Sequence, residues 1–587
     1  MNKRNHLCKL SALSLAVLMA LSMLAGCGSP ANSTSDPGSA VSQDASAGVS
    51  APADAGQKIG PLEPYAEPVT IRVGRSFATD FKFFGDETVD ENEWTKAYKE
   101  MLNIEVENMW VVDPSQAATK MSSAIASGDY PDIFTVNPTD YAKYAASGVI
   151  ADVTDLYDDY LSENGRAAVE ADNGYSLDAM TINGRLYGIP IVDNPLDSLN
   201  QLWIRKDWLD KLELEVPKTI DDVLKVAEAF ATKDPDGNGK NDTYAFAFDG
   251  KNICSGWGGI EPFFEMYGAY PLAMNYAANF SLVEDGGALR WGGEADGMKE
   301  SLAVLQQFYN DGWIAPDFGT HDDSAAIREF GNGKAGMFFA PMWGAWSAAE
   351  TLFVNEPDAE VVATMLPGRD GPGKAFYVSS LSVIAVVSTK CKNPDALFKV
   401  FNLGKELVAY QEDQETFDRF NGDTMNYTGS RLSITDPLKP IKNLDNHYKI
   451  TEAMKTGDVS KLDSEQMNNY TVIQEQYIKS DGPTIENIAN WAAGYGLWAT
   501  FANPDGGYAA IADAIEADAF EYAGYAPAAT DRMAAAGSTL TDLIATSIIK
   551  IIYGEEEAAY WDTVVQDWHT LGGDIVLEDA NAWYKSK

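Results

Sequence analysis

From residue 69 onward the chain alternates between short runs rich in β-branched and apolar residues and longer stretches of helical period. Strand signals fall at 71–75, 104–112, 133–136, 187–190 and 244–248, and helical ones at 92–102, 114–126, 139–146 and 220–231. That alternation predicts helices layered on a sheet, the α/β class. Two more helices are expected at 540–553 and 556–571, joined at Gly554. The roughly 520 residues from Ala66 onward exceed the ~250–300 that one core usually sustains, so two lobes are expected. No short internal repeat interrupts the pattern.

The N-terminal stretch reads differently. Lys3, Arg4 and Lys9 precede an uncharged run over 10–24, shorter than the ~20 apolar residues a membrane span needs. This is the pattern of an export signal over 1–26. Leu24-Ala25-Gly26-Cys27 resembles a bacterial lipobox, which implies cleavage before Cys27 and a lipid on its thiol. The acyl chains would anchor the protein at the outer face of a Gram-positive-like membrane, each buried CH₂ contributing ~0.8 kcal/mol. Residues 28–57 hold no Leu, Ile, Phe, Tyr or Trp, so 27–65 is expected to be a flexible tether.

Charge narrows the partners. The formal net charge is −44, and −47 once three basic residues leave with the signal. Such a chain repels nucleic acid and anionic lipid, so contact with the membrane is expected through the anchor alone. After Cys8 and Cys27, only Cys254 and Cys391 remain, too few for a metal cluster or a disulfide scaffold; two free thiols are expected.

The sharpest local motif is Asp234-Pro-Asp236-Gly-Asn238-Gly239-Lys240-Asn-Asp242. Oxygen donors at positions 1, 3, 5, 7 (through the backbone) and 9, with Gly at 6, follow the EF-hand loop. It predicts a structural calcium held by Asp234, Asp236, Asn238, Lys240 and Asp242. Position 12 is Ala245, so the usual bidentate ligand is missing locally. The alternative is an Asp/Asn/Gly turn without metal.

Several segments together resemble the family-1 extracellular solute-binding proteins of bacterial ABC importers, the group that contains the maltodextrin-binding protein. Within it the chain is similar to large Gram-positive lipoproteins and to alginate-oligosaccharide-binding proteins. The matching stretches include ASGDYPDIF (126–134), SGVIADVTDL (147–156), INGRLYGIP (182–190), LWIRKDWLDKLELEVPKT (202–219), GNGKAGMFFAPMWGAW (331–346), KNPDALFKVFN (392–402) and LGGDIVLEDANAWYKS (571–586). Residues 412–484 match least and read as an insertion. In place of a carboxylate found in the alginate-binding relatives this chain has Thr243.

The resemblance implies a periplasmic-binding-protein-like (type II) fold, two lobes joined by a hinge with a central ligand cleft. Lobe one would comprise 66–192 and 375–468, lobe two 193–374 and 469–587. It also implies a monomer that captures a carbohydrate, closes on it and delivers it to membrane permease subunits. A sugar offers hydroxyl edges and flat CH faces, which call for polar groups and aromatic planes. Trp343 stands where the maltodextrin-binding protein stacks a sugar, with Trp346 three residues on. Asn137 and Asp140 match a loop that holds sugar hydroxyls, although Thr135 replaces an aromatic there. Arg75 ends the first strand, where clefts open in such sheets. Trp203 follows a crossing, and Trp491 and Tyr495 lie in a Gly-rich stretch. For Trp343 and Trp346 the alternative is core packing, for Trp491 and Tyr495 a structural loop, and for Arg75 an ion pair. A non-sugar solute is the alternative ligand. A surface glycan-degrading enzyme is the rival reading, but four His without ligand spacing and no nucleophile or phosphate-loop motif speak for a binder.

Overall fold

Helix boundaries in the computed structural model follow the capping chemistry of the sequence. It describes residues 60–586 except 79–80, 193–194, 273–280, 379–380, 423–428 and 528. The signal, Cys27 and the tether up to 59 lie outside the described residues. Asn92 opens the helix Glu93–Leu102 with a capping box shared with Thr95, and Asp113 caps Pro114–Ser127, which ends on left-handed Gly128. Thr219 and Asp222 form the same reciprocal cap on Ile220–Thr232.

The strands in chain order are β1 (Val69–Ser76), β2 (Ile104–Val112), β3 (Ile133–Val136), β4 (Gly188–Ile191), β5 (Gln201–Arg205), β6 (Tyr244–Phe246), β7 (Leu282–Asp285), β8 (Ala288–Trp291), β9 (Ala335–Ala340), β10 (Val361–Met365), β11 (Ala375–Tyr377), β12 (Val383–Val387) and β13 (Phe520–Tyr522). The first sheet runs β2-β1-β3-β12-β4. Its β1 is parallel to β2 and β3, and β12 is antiparallel to both β3 and β4. The second runs β10-β5-β9-β6, with β5 antiparallel to β10 and β9 and β6 parallel to β9. Short β11 pairs in parallel with β13, and β7 with β8 forms a hairpin.

Each sheet carries its own core. Ile71, Trp94, Tyr98, Ile104, Phe398 and Phe401 are buried against the first, and Trp208, Phe230, Phe246, Phe339, Leu540 and Ile548 around the second. Residues 59–587 form one compact unit that contains both. The helix Asp531–Ile552 is apolar and long enough to cross a membrane, but Leu540, Ile544, Ile548 and Ile551 bury its stripe in the second core. It starts earlier than the expected 540, because the Ala-rich turn 534–536 lacks a clear period but forms helix readily.

The expected boundary at 468 falls inside the helix Ser464–Val472. The neighbouring helix Lys442–Thr456 packs on residues 498–502 and on the helix Gly507–Glu516, burying Ile450 and Ile473 with Phe501, Tyr508 and Ile511. The stretch 442–478 is therefore continuous with the helices C-terminal to it, whereas Phe417, Phe420 and Leu432 pack into the core of the first sheet. Cys254 and Cys391 are free thiols, and burial pushes Cys391 up to about 11.

Candidate ligand cleft

The pairing directions put several strand ends on one edge of each sheet. On the first sheet these are the C-terminal ends of β1, β3 and β4 and the start of β12; on the second, the end of β9 and the start of β5. Between the sheets the chain passes from β4 to β5 and from β11 to β12, with β13 paired alongside β11. Leu196 and Leu199 from the first passage and Tyr377 from the second share one buried cluster, with Tyr175 and Trp343 packed against it. Tyr175 donates its hydroxyl to the carbonyl of Ala523. Trp343 thus lies where the connections between the sheets meet.

The turn after β9 presents Trp343 half-buried as the cap of the helix Gly344–Asn355. Trp203 builds that turn rather than a ligand surface. It is fully buried, its indole N–H donates to the Pro341 carbonyl at 3.0 Å, and a Cβ on Gly344 would collide with its ring. Trp346, 42% exposed, lies across Gly496, where any side chain would displace it.

The polar candidates divide. Asn137 is exposed at the end of β3, caps the helix Pro138–Ala146 by accepting from Asp140 N at 2.8 Å, and donates to the Asp140 carboxylate at 3.0 Å. The two therefore form one pre-set polar pair at the strand end. Arg75 is buried instead, donating to the carbonyls of Ser433, at 2.7 Å, and Leu432. Its place as a ligand group is corrected: the guanidinium ties β1 to the 430s, and burial pushes its pKa down. Trp491 and Tyr495 stack at 5.4 Å and 7° and pack on Phe353, Tyr477 and Trp498. They line a cavity of about 500 Å³ beside Lys206 and Val361, at the opposite end of β5 and β10 from Gln201 and Met365. They line this cavity rather than the strand ends at Gln201 and Met365.

Another cavity, of about 350 Å³, brings Tyr141 and Met180 of the first sheet's helices against Pro527 and Trp583. Tyr141 accepts from the backbone of Tyr187 at 2.9 Å. Sequence reasoning missed Trp583; its only signal was an aromatic late in a stretch that resembles the family.

The acidic loop is folded on itself. Asp234 Oδ2 accepts from Gly239 N at 3.0 Å, and Asn238 Nδ2 donates to Asp236 at 2.7 Å and Asp242 at 2.9 Å. Asp234 Oδ1 is buried with no hydrogen bond. Burial, and then the proximity of Asp234 and Asp242, push the Asp236 pKa up. Thr243 turns inward and donates to the Phe230 carbonyl at 2.7 Å, so it offers the loop no oxygen. Among the described residues no three acidic, His or Cys side chains converge in metal-binding geometry. The orphaned Asp234 oxygen and crowded carboxylates nonetheless fit a cation.

Over residues 85–411 the sequence matches the profile of the bacterial extracellular solute-binding proteins. The chain belongs to that family. Among these solute-binding proteins it is 30% identical over 280 residues to the fructooligosaccharide ABC transporter substrate-binding protein FusA of Streptococcus pneumoniae, a match spanning 46% of this chain and 48% of that protein. It is 22% identical over 496 residues to the polygalacturonan/rhamnogalacturonan-binding protein YtcQ of Bacillus subtilis, covering 84% and 87%. An HMO-binding, ABC-transporter-associated solute-binding protein of Bifidobacterium longum infantis shares the fold, with a TM-score of 0.53 and 16% identity over 88% of this chain and 99% of that one. The fold is periplasmic-binding-protein-like, type II, in a solute-binding family whose relatives are binding proteins.

Proposed function

We propose that this solute-binding protein captures a carbohydrate between its two sheets and delivers it to the permease subunits of an ABC importer. The observation that carries the reading is Trp343, held half-buried by the Trp203-braced turn where the inter-sheet connections meet. An indole there supplies a flat face for a sugar's CH surface, and the Asn137–Asp140 pair supplies hydroxyl partners. The family match and the carbohydrate-binding relatives support it. The first sheet forms lobe one and the second, with the helices after residue 442, forms lobe two; a ligand touching both shifts the population toward the closed arrangement. The protein acts as a monomer, exported and lipid-anchored through Cys27. Calcium on Asp234, Asp236, Asn238, Lys240 and Asp242 neutralises the loop's carboxylates and has a structural role.

The test is the melting temperature of the mature chain against mono- and oligosaccharides. Binding adds RT ln(1 + [L]/Kd), about 2.7 kcal/mol at a hundredfold excess over Kd. A shift with one glycan class, abolished by Trp343→Ala, supports capture in the cleft. Release of shortened glycan would instead establish an enzyme, and a shift with none would move the ligand outside the sugars.

A further inference from the structure

The cavity walled by Trp491 and Tyr495 has a character of its own. Its volume of about 500 Å³ is that of a small-molecule site. It shares no lining residue with Trp343 or with the strand ends of the cleft. Part of its lining is aromatic. Trp491 and Tyr495 are stacked, and Tyr477 stands edge-on to them at 5.3 and 5.4 Å. Trp491 and Tyr495 are buried, so their faces are taken up by neighbours. Tyr477 and Trp498 stay partly exposed, 5.0 Å apart and tilted by 42°, and leave ring surface toward the opening.

The charged part of the lining is acidic. Asp358, Glu360 and Asp505 are exposed at the same opening, and none of the three makes an ion pair among the described residues. The one basic residue of the lining, Lys206, is paired with Asp210. Burial, and then the charge of Glu360, push the Tyr477 hydroxyl pKa up, which places that carboxylate beside the exposed rings.

The chain has 87 acidic residues, and exposed acids by themselves serve solubility. These three differ in standing beside ring surface and beside an unanswered polar group. Tyr495 is 3% exposed, its hydroxyl lies by Val361 of the same lining, and the hydroxyl proton has no acceptor among the described residues. An occupant that brings positive charge, apolar surface and one acceptor answers all three features. A metal ion brings only the charge, and the carboxylates do not converge as its ligands would. A neutral sugar leaves the acidic charge unanswered and finds the Trp491 and Tyr495 faces closed.

We infer that this cavity is a second ligand site, taking an alkylated ammonium that carries a hydroxyl, of the choline class. The cationic head lies against Tyr477 and Trp498, attracted by the ring quadrupoles and by Glu360, Asp358 and Asp505. The ligand's hydroxyl oxygen reaches inward and accepts from Tyr495. The site is independent of the cleft reading and stands or falls without it.

The test titrates the full chain in detergent with choline and with its neutral isostere, which has carbon in place of nitrogen and so keeps the shape and the hydroxyl without the charge, at matched ionic strength. Choline is expected to bind at least about tenfold tighter than the isostere. Glu360→Gln, which breaks no ion pair among the described residues, and Trp498→Leu are each expected to weaken choline about tenfold, and Tyr495→Phe about threefold. Equal binding of the isostere, no binding of choline, or full retention in both Glu360→Gln and Trp498→Leu would overturn the proposal. Failure of the cleft reading would appear separately, as a glycan panel that gives no melting shift.

Discussion

Single residues show how much a side chain's role depends on what stands behind it. Trp203 lies within β5 and Trp343 just after β9, yet one is the brace and the other the braced. Trp203→Phe keeps the packing but removes one of two hydrogen bonds to the Pro341 carbonyl, which still accepts from Gly344 N at 2.9 Å, at an expected cost of about 1 kcal/mol in denaturant unfolding. Gly344→Ala drives a methyl into the indole and should cost about 1–3 kcal/mol, the usual cost of overpacking. Both should weaken cleft binding, since both move the turn that carries Trp343. Glu329 gives a different readout. Burial, then the charge of Asp317, push its carboxyl up to about 8. The native state therefore holds a proton that the unfolded chain has lost above its ordinary carboxylate range, so stability falls as pH rises toward about 8 and levels off beyond. The slope is at most about 1.4 kcal/mol per pH unit. Urea unfolding from pH 5 to 9 should show it, and Glu329→Gln should flatten it.

Elements were legible in the sequence where their ends carry their own signals. The Asn92 and Thr219 caps, the Gly128 stop and the apolar runs of β2 and β3 place those elements within a residue or two of expectation. Thr219→Ala should cost about 1 kcal/mol, because it removes one half of a reciprocal cap. The helices between 442 and 516 were not legible. Their apolar residues are spent on contacts with each other and with Met342 and Tyr377, so no single helix carries a strong stripe. The same reason misplaced Trp491 and Tyr495: glycine beside aromatics reads as a loop, but Gly494 and Gly496 sit in a helix that must approach residues 472–477 and Trp346. The acidic loop 234–242 is the opposite case, with its oxygen donors local in sequence and geometry. Calcium should raise the melting temperature of the chain and a chelator reverse it, with both effects absent in Asp234→Ala. The gain should grow as pH rises through the carboxylate range, since Asp236, pushed up in the metal-free loop, must lose its proton to bind.

At the scale of the whole molecule, the connections between the sheets are joined by a buried pair of acids that no cation balances among the described residues. Glu261 and Glu265 lie one turn apart on the helix Glu261–Met266 and are almost fully buried. Asn200, just before β5, donates to Glu261 at 3.1 Å and to Glu265 at 2.6 Å, and the backbone N–H of Phe376 in β11 donates to Glu265 at 3.2 Å. Two of the passages between the sheets therefore hang on one carboxyl pair. Burial pushes both pKa values up, and the charge of Glu265 pushes Glu261 further. A proton held between them satisfies the pair, whereas two buried carboxylates would repel across the same Asn200 amide. Because the folded pKa lies above the unfolded one, the stability this pair contributes is complete in acid and lost as pH rises through the folded value. Glu261→Gln keeps a donor toward Glu265 without a titrating proton. In a Glu329→Gln background, the parent should lose melting temperature between pH 6 and 9, and the double variant should lose less. If the strain is shared with the connections, the parent should also show greater small-angle scattering expansion than the variant at pH 9. Equal pH slopes would mean that the pair stays protonated throughout, and that the connections between the sheets are insensitive to it.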